Sequence, residues 1–156
     1  LLAIQRMSVE DILKKHWRLY GRNFYSRHDY EEINSNIAIA LIDNIRRQFT
    51  ELPGKQYGAF RIAYADDFSY KDPVDSSIVT GQGIRIGFED GSRIVYRLSG
   101  TGTQGATLRI YIERYEPDPQ YHDQNAQHAL AELITIANDI SEIRKRSDRE
   151  APTVIT

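Results

Sequence analysis

The sequence predicts an α+β fold, an antiparallel sheet flanked by helices, and three observations carry that prediction. Apolar residues recur at helical spacing in 8–21, 34–49 and 123–146. Between 84 and 112 apolar and polar residues alternate, the period of half-buried strands. Turn chemistry separates the alternating runs, so consecutive strands can pair as a meander. The order helix, strand, helix, strands, helix, with no internal repeat or low-complexity tract, fits a layered α+β unit.

Each element has its own signal. Ser8 opens Ser-Val-Glu-Asp, an N-cap signature, and Val9, Ile12, Leu13, Trp17 and Tyr20 follow until Gly21. Residues 22–33 mix aromatics with charges and suit a strand with one exposed face. Asn34 or Ser35 can cap a second helix, in which Ile37, Leu41, Ile45 and Phe49 recur every fourth residue before Pro53-Gly54. From Tyr57 to Thr80 a β-like pattern is broken by Asp66-Asp67 and Asp72-Pro73, which predicts strand, turn and loop. Ile84, Ile86 and Phe88, a turn at Glu89-Asp90-Gly91, then Ile94, Tyr96 and Leu98 predict a hairpin. A loop at 99–106 precedes a strand carrying Leu108, Ile110 and Ile112, closed by Pro117 and Pro119. A single long amphipathic helix over 123–146 presents Ala126, Leu130, Leu133, Ala137, Ile140 and Ile143 as one stripe.

Composition excludes several classes. With 156 residues and 40% hydrophobic content, there is room for one globular domain with a sizeable core and no second complete one. The formal net charge is −2 with both signs interspersed, which argues against nucleic acid and for any bound anion being small and held locally. No stretch approaches the roughly 20 apolar residues of a membrane span, and no signal peptide is recognisable. Cysteine is absent, so no thiolate metal site, disulfide or cysteine nucleophile can form. These features predict a cytoplasmic protein without a membrane partner, and Leu1 reads as the continuation of a longer chain.

The chemistry-bearing stretch is Arg97-Leu98-Ser99-Gly100-Thr101-Gly102-Thr103-Gln104-Gly105-Ala106-Thr107-Leu108-Arg109. If Tyr96, Leu98, Leu108 and Ile110 face the core together, Arg97 and Arg109 share the opposite face. Two neighbouring guanidinium groups repel unless an anion or a carboxylate sits between them. A phosphate needs many donors in a small volume, and the arginine forks, the Ser99 and Thr101 hydroxyls and glycine-exposed backbone N–H groups supply them. The spacing equally admits a flexible hairpin loop whose arginines are solvated or paired with Glu113 or Asp90.

Other candidates are weaker. The stretch lacks the Gly-Lys-Ser/Thr ending of a P-loop, and Ser99 has no histidine base, so neither nucleotide binding nor a serine nucleophile is indicated. His122 and His128 fall on different helix faces, and His16 and His28 have no ligand-spaced partner, which predicts surface or capping roles. Asp66-Asp67, Asp72 with Asp75, and Glu89-Asp90 adjoin turn residues and are expected to cap backbone.

RLSGTGTQGATLRIYIERYE resembles the phosphate-binding loop of the phosphoglucomutases in the α-D-phosphohexomutase superfamily. The resemblance runs through SVEDILKKHW, YGRNFYSRHDYEE, DPVDSSI, QGIRI and DGSRIVYRLSGTG to APTVIT, where the family's natural C-terminus is expected. Phosphomannomutases and phosphoglucosamine mutases resemble it less, because their loop continues Ser-Gly/Asn-Thr-Glu-Pro where this one has Ser-Gly-Thr-Gly.

The resemblance implies a C-terminal domain like the TATA-binding-protein fold over 21–156, entered by a connecting helix over 1–20. It implies substrate-phosphate binding by Arg97, Ser99, Gly100, Thr101 and Arg109, with no catalytic residue and no metal ligand in this chain. The implied reaction interconverts glucose 1-phosphate and glucose 6-phosphate through glucose 1,6-bisphosphate. The phosphoserine and the Mg²⁺ loop would belong to domains absent from this chain, so the chain alone is expected to be inactive. Its partners would be a sugar phosphate and the other domains of the same enzyme. A non-enzymatic structural or adhesion relative and a glucose bisphosphate synthase are the alternatives that the resemblance leaves open.

Overall fold

The computed structural model describes residues 7–81, 83–102 and 105–156, with Thr101 and Gly102 described in their backbone alone. Helix α1, Val9–Tyr20, starts at a capping box in which Ser8 and Asp11 bond each other's backbone reciprocally, and ends at Gly21 as the spacing predicts. Its stripe is not buried: Val9 is 60%, Leu13 44% and Tyr20 63% exposed. What ties α1 down is polar and aromatic. The Arg22 guanidinium stacks 4.2 Å from the Trp17 ring, and the Tyr115 hydroxyl donates to the Tyr20 carbonyl at 2.8 Å.

Strand β1, Arg22–Ile33, leads to α2, Ser35–Arg47, capped by Asn34. The residues α2 buries are Ala38, Leu41, Ile42 and Ile45, while Ile37 stands 39% exposed. A row taken every fourth residue drifts around a helix of 3.6 residues per turn, so the ends of the expected stripe leave the buried face.

Two short strands, β2 (Gln56–Tyr57) and β4 (Tyr70–Lys71), flank β3 (Phe60–Asp67), and β4 pairs with β5 (Ile78–Val79) in a separate two-stranded hairpin. Then come β6 (Ile84–Phe88), β7 (Arg93–Gly102) and β8 (Gly105–Glu116). The stretch 99–106, expected as a loop, is instead mostly strand: β7 and β8 stay paired through Ser99↔Thr107, shift register, and pair again at Gly102↔Gly105. Small polar residues lower strand propensity, but the growing ladder and the Ile33↔Ala106 pairing with β1 override it.

The main sheet has the order β2-β3-β6-β7-β8-β1-β9, with every pairing antiparallel and β9 formed by Val154–Ile155. This is the predicted α+β class. One face carries the core, in which Phe24, Tyr30, Ile84, Ile94, Tyr96, Leu108 and Ile110 meet Leu41 and Ile45 of α2 and Leu133, Ile136 and Ile140 from the C-terminal helices.

Those C-terminal helices are three: α3 (Ala126–Ala129), α4 (Ala131–Ser141) and α5 (Ile143–Ser147). The expected continuous helix breaks at Leu130 and at Glu142, which adopts a left-handed backbone at φ 51. Leu130, Leu133, Ala137, Ile140 and Ile143 are nevertheless all buried, so the breaks bend the stripe along the twisted sheet without interrupting it. Sequence alone offered no sign of them, since neither break has glycine or proline.

Candidate anion-binding site

Residues alternating with the core positions of β7 and β8 point away from the helices. Arg97 is register partner of Arg109, so the two guanidinium groups share the open face as parity predicts. Ser99, opposite Thr107, continues the row toward the hairpin tip and is half-buried. The Thr101 hydroxyl, also expected to contribute, lies outside what is described.

Glycine shapes the tip in two ways. Gly100 has φ +67 with nothing within 4 Å of where a β-carbon would stand, so its backbone is open to approach. Gly105 has φ +100, and a β-carbon there would come 3.2 Å from both Glu32 Cα and the Ile33 carbonyl oxygen. The hairpin tip is thereby seated on the irregular end of β1, where the register shifts between Tyr30 and Ile33.

The expectation that any carboxylate pairing these arginines would be Glu113 or Asp90 is not met. Glu113 accepts from Arg93 Nε at 2.6 Å, and Asp90 accepts from the Ser92 backbone N–H and hydroxyl at 2.9 Å. The carboxylate at the site is Asp29 of β1, the register partner of Arg109. Asp29 is 3% exposed. Its Oδ1 lies 3.0 Å from Arg27 Nε and its Oδ2 3.7 Å from Arg109 Nε. Sequence reading missed it because register between β1 and β8 cannot be read from either strand alone; the available hint was that Arg27 and Asp29 share one parity of β1, opposite to that of Phe24 and Tyr30.

Below this row the open face forms a cavity of about 900 Å³ lined by Arg27, Arg85, Arg93, Arg97, Tyr25 and Tyr111, among others. Arg85 is held by Asp66 at 2.7 and 2.9 Å, and that hydrogen-bonded carboxylate raises its pKa further. Arg97 packs its stem over Gly83, whose missing side chain makes the space.

The other candidates resolve variously. Asp72, Asp75 and Asp90 do accept from turn backbone, at 2.7, 2.8 and 2.9 Å. Asp66 and Asp67 instead pair with Arg85 and Arg46. His28 and His122 are buried rather than surface residues, the first bonded to Gln127 at 2.9 Å and the second to the Glu116 carbonyl at 2.9 Å. Among the described residues no three of His, Asp and Glu gather where a metal could sit. The arrangement offers donors and positive charge: it can hold an anion.

The family model for the C-terminal domain of phosphoglucomutase-1 matches residues 22–153. The chain belongs to the phosphoglucomutase family. It is 55% identical over 156 residues to a phosphoglucomutase of Rhizobium radiobacter, covering all of this chain and 29% of the relative. Against the chloroplastic phosphoglucomutase of Solanum tuberosum it is 51% identical over 151 residues, 96% of this chain and 24% of that one. Human phosphoglucomutase-1 is 48% identical over 162 residues, with 29% of its length covered. Among solved structures, the open form of the Paramecium exocytosis-sensitive phosphoprotein pp63/parafusin, a phosphoglucomutase, superposes with a TM-score of 0.84 at 40% identity. It is matched over 96% of this chain and 25% of its own. The chain therefore spans between 24% and 29% of the length of these phosphoglucomutases.

Proposed function

We propose that this chain is the substrate-phosphate-binding domain of a phosphoglucomutase that interconverts glucose 1-phosphate and glucose 6-phosphate through glucose 1,6-bisphosphate. The observation that carries this reading is the pairing of Arg97 with Arg109 on the open face, beside Ser99 and the open backbone of Gly100, in a chain of this family. Each guanidinium offers a planar fork to phosphate, and such charge-assisted bonds contribute about 1.5–3 kcal/mol each.

The domain contributes by position. Gripping the phosphate that is not reacting fixes the opposite end of the sugar, so that a hydroxyl there meets the phosphoserine of another domain. Arg97 and Arg109 act as clamps and neither gives nor takes a proton. Mg²⁺, held by another domain, would neutralise charge on the phosphoryl group in transfer. The chain alone is expected to grip without turnover, in a cytoplasmic enzyme whose other domains are its partners. The exposed apolar stripe of α1 supports residues 1–20 being the connection to a preceding domain.

Amide resonances tell whether the grip is where it is assigned. Titrating the isotope-labelled chain with glucose 6-phosphate should move Arg97, Ser99, Gly100 and Arg109 first, saturably. Shifts confined to other residues, or none at millimolar ligand, would refute the assignment.

A further inference from the structure

We propose that Asp29 is a positioning residue for the phosphate grip, its buried carboxylate engaging the Nε side of Arg109 and so turning its terminal nitrogens toward the open face. This rests on Arg97 and Arg109 being the phosphate ligands, as inferred above.

A carboxylate that is 3% exposed is costly unless cations compensate it. The two that do so come one from each oxygen: Arg27 Nε lies 3.0 Å from Oδ1 and Arg109 Nε 3.7 Å from Oδ2. A guanidinium has three nitrogens, and engaging Nε leaves Nη1 and Nη2, the parallel fork that matches two phosphate oxygens. Register puts Asp29, Arg109 and Arg97 in one row across three strands, with the carboxylate behind Arg109 on the side away from Arg97. That placement offsets the repulsion between the two like charges.

The contact is ionic rather than directional, because Arg27 Nε, Arg109 Nε and Asp29 Oδ1 make no aligned hydrogen bond. Arg109 can therefore close on a phosphate without first breaking one. The carboxylate is itself fixed by its backbone, since the Asp29 carbonyl accepts from the Thr153 N–H at 2.7 Å and Val154 of β9 pairs beside it. The C-terminal strand thus anchors the residue that aims the grip.

The test uses the full-length enzyme, with kcat and KM for glucose 1-phosphate measured for wild type, Asp29→Asn, Arg109→Ala and the double variant. Asp29→Asn should raise KM roughly five- to fiftyfold, the scale of a misplaced binding group. The double variant should be no worse than Arg109→Ala alone, because Asp29 acts through Arg109. A purely structural role would lower the folded fraction and hence kcat while KM stayed put. An unchanged KM in Asp29→Asn, or an effect that adds in full to that of Arg109→Ala, overturns the proposal. If Asp29→Asn does not yield folded enzyme, Asp29→Glu keeps the charge and carries it one methylene too far; a raised KM supports the role and an unchanged KM overturns it. Should Arg109→Ala itself leave both constants unaltered, the phosphate-grip reading fails and the role of Asp29 falls with it.

Discussion

Gly83 lies directly beneath Arg97: a β-carbon on it would stand 2.9 Å from Arg97 Cγ and 2.8 Å from the Tyr96 carbonyl oxygen. The side-chain stem could swing away, but the backbone oxygen belongs to the central ladder and cannot. Gly83→Ala should therefore displace the guanidinium and strain β6 against β7. Overpacking of this kind costs about 1–3 kcal/mol. Thermal denaturation should show the loss, and the full-length variant should have a raised KM for glucose 1-phosphate.

Gly105 predicts a second local effect. Alanine there would have to adopt φ +100 and sit 3.2 Å from the end of β1. Holding a non-glycine residue in such a conformation costs about 1–3 kcal/mol. Amide hydrogen exchange should quicken at Ala106 and Ile33, the pair that seats the tip on β1, and stay unchanged in the hairpin between β6 and β7.

Tyr96 links stability to alkaline pH. Its hydroxyl donates to the Ala137 carbonyl at 2.7 Å in the fully buried core. Burial pushes its pKa well above the ordinary 10.0, and burial raises Tyr30 and Tyr57 in the same direction. In the unfolded chain these phenols ionise near their ordinary value, whereas the fold keeps them neutral. Their contribution is thus complete below about pH 10 and is lost as pH rises above it. Tm should be flat from pH 8 to 9.5 and fall beyond 10. Tyr96→Phe should fall less steeply in that window. At neutral pH it should be less stable by about 1 kcal/mol, the lower end of a hydrogen-bond loss, because Ser141 still donates to the same carbonyl.

Local signals made much of this fold legible before any coordinates. The Ser8 capping box, the Asn34 cap and the turn at 89–91 each lie within a few residues of what they control, and each element formed where they placed it. Parity alone put Arg97 beside Arg109, because both strands carry an unbroken alternation. What stayed hidden depends on distant neighbours. The continuation of β7 to Gly102 and the start of β8 at Gly105 need a third strand to pair with, and the left-handed turn at Glu142 has no glycine to announce it. Asp29 became part of the site through the β1–β8 register, and Val154–Ile155 became a strand only because β1 offered an edge.

The central claim is that Arg97 and Arg109 clamp the substrate phosphate, and kcat/KM of the full-length enzyme tests it most directly. Arg97→Ala and Arg109→Ala should each lower it roughly ten- to a few-hundredfold, the kinetic equivalent of one charge-assisted bond. Lysine at either position should restore only part, since a point charge cannot reproduce the fork. Both alanine variants should remain folded, Arg109→Ala with a lowered Tm because buried Asp29 loses one of its two compensating cations. Unchanged kcat/KM in both, with folding intact, would contradict the account.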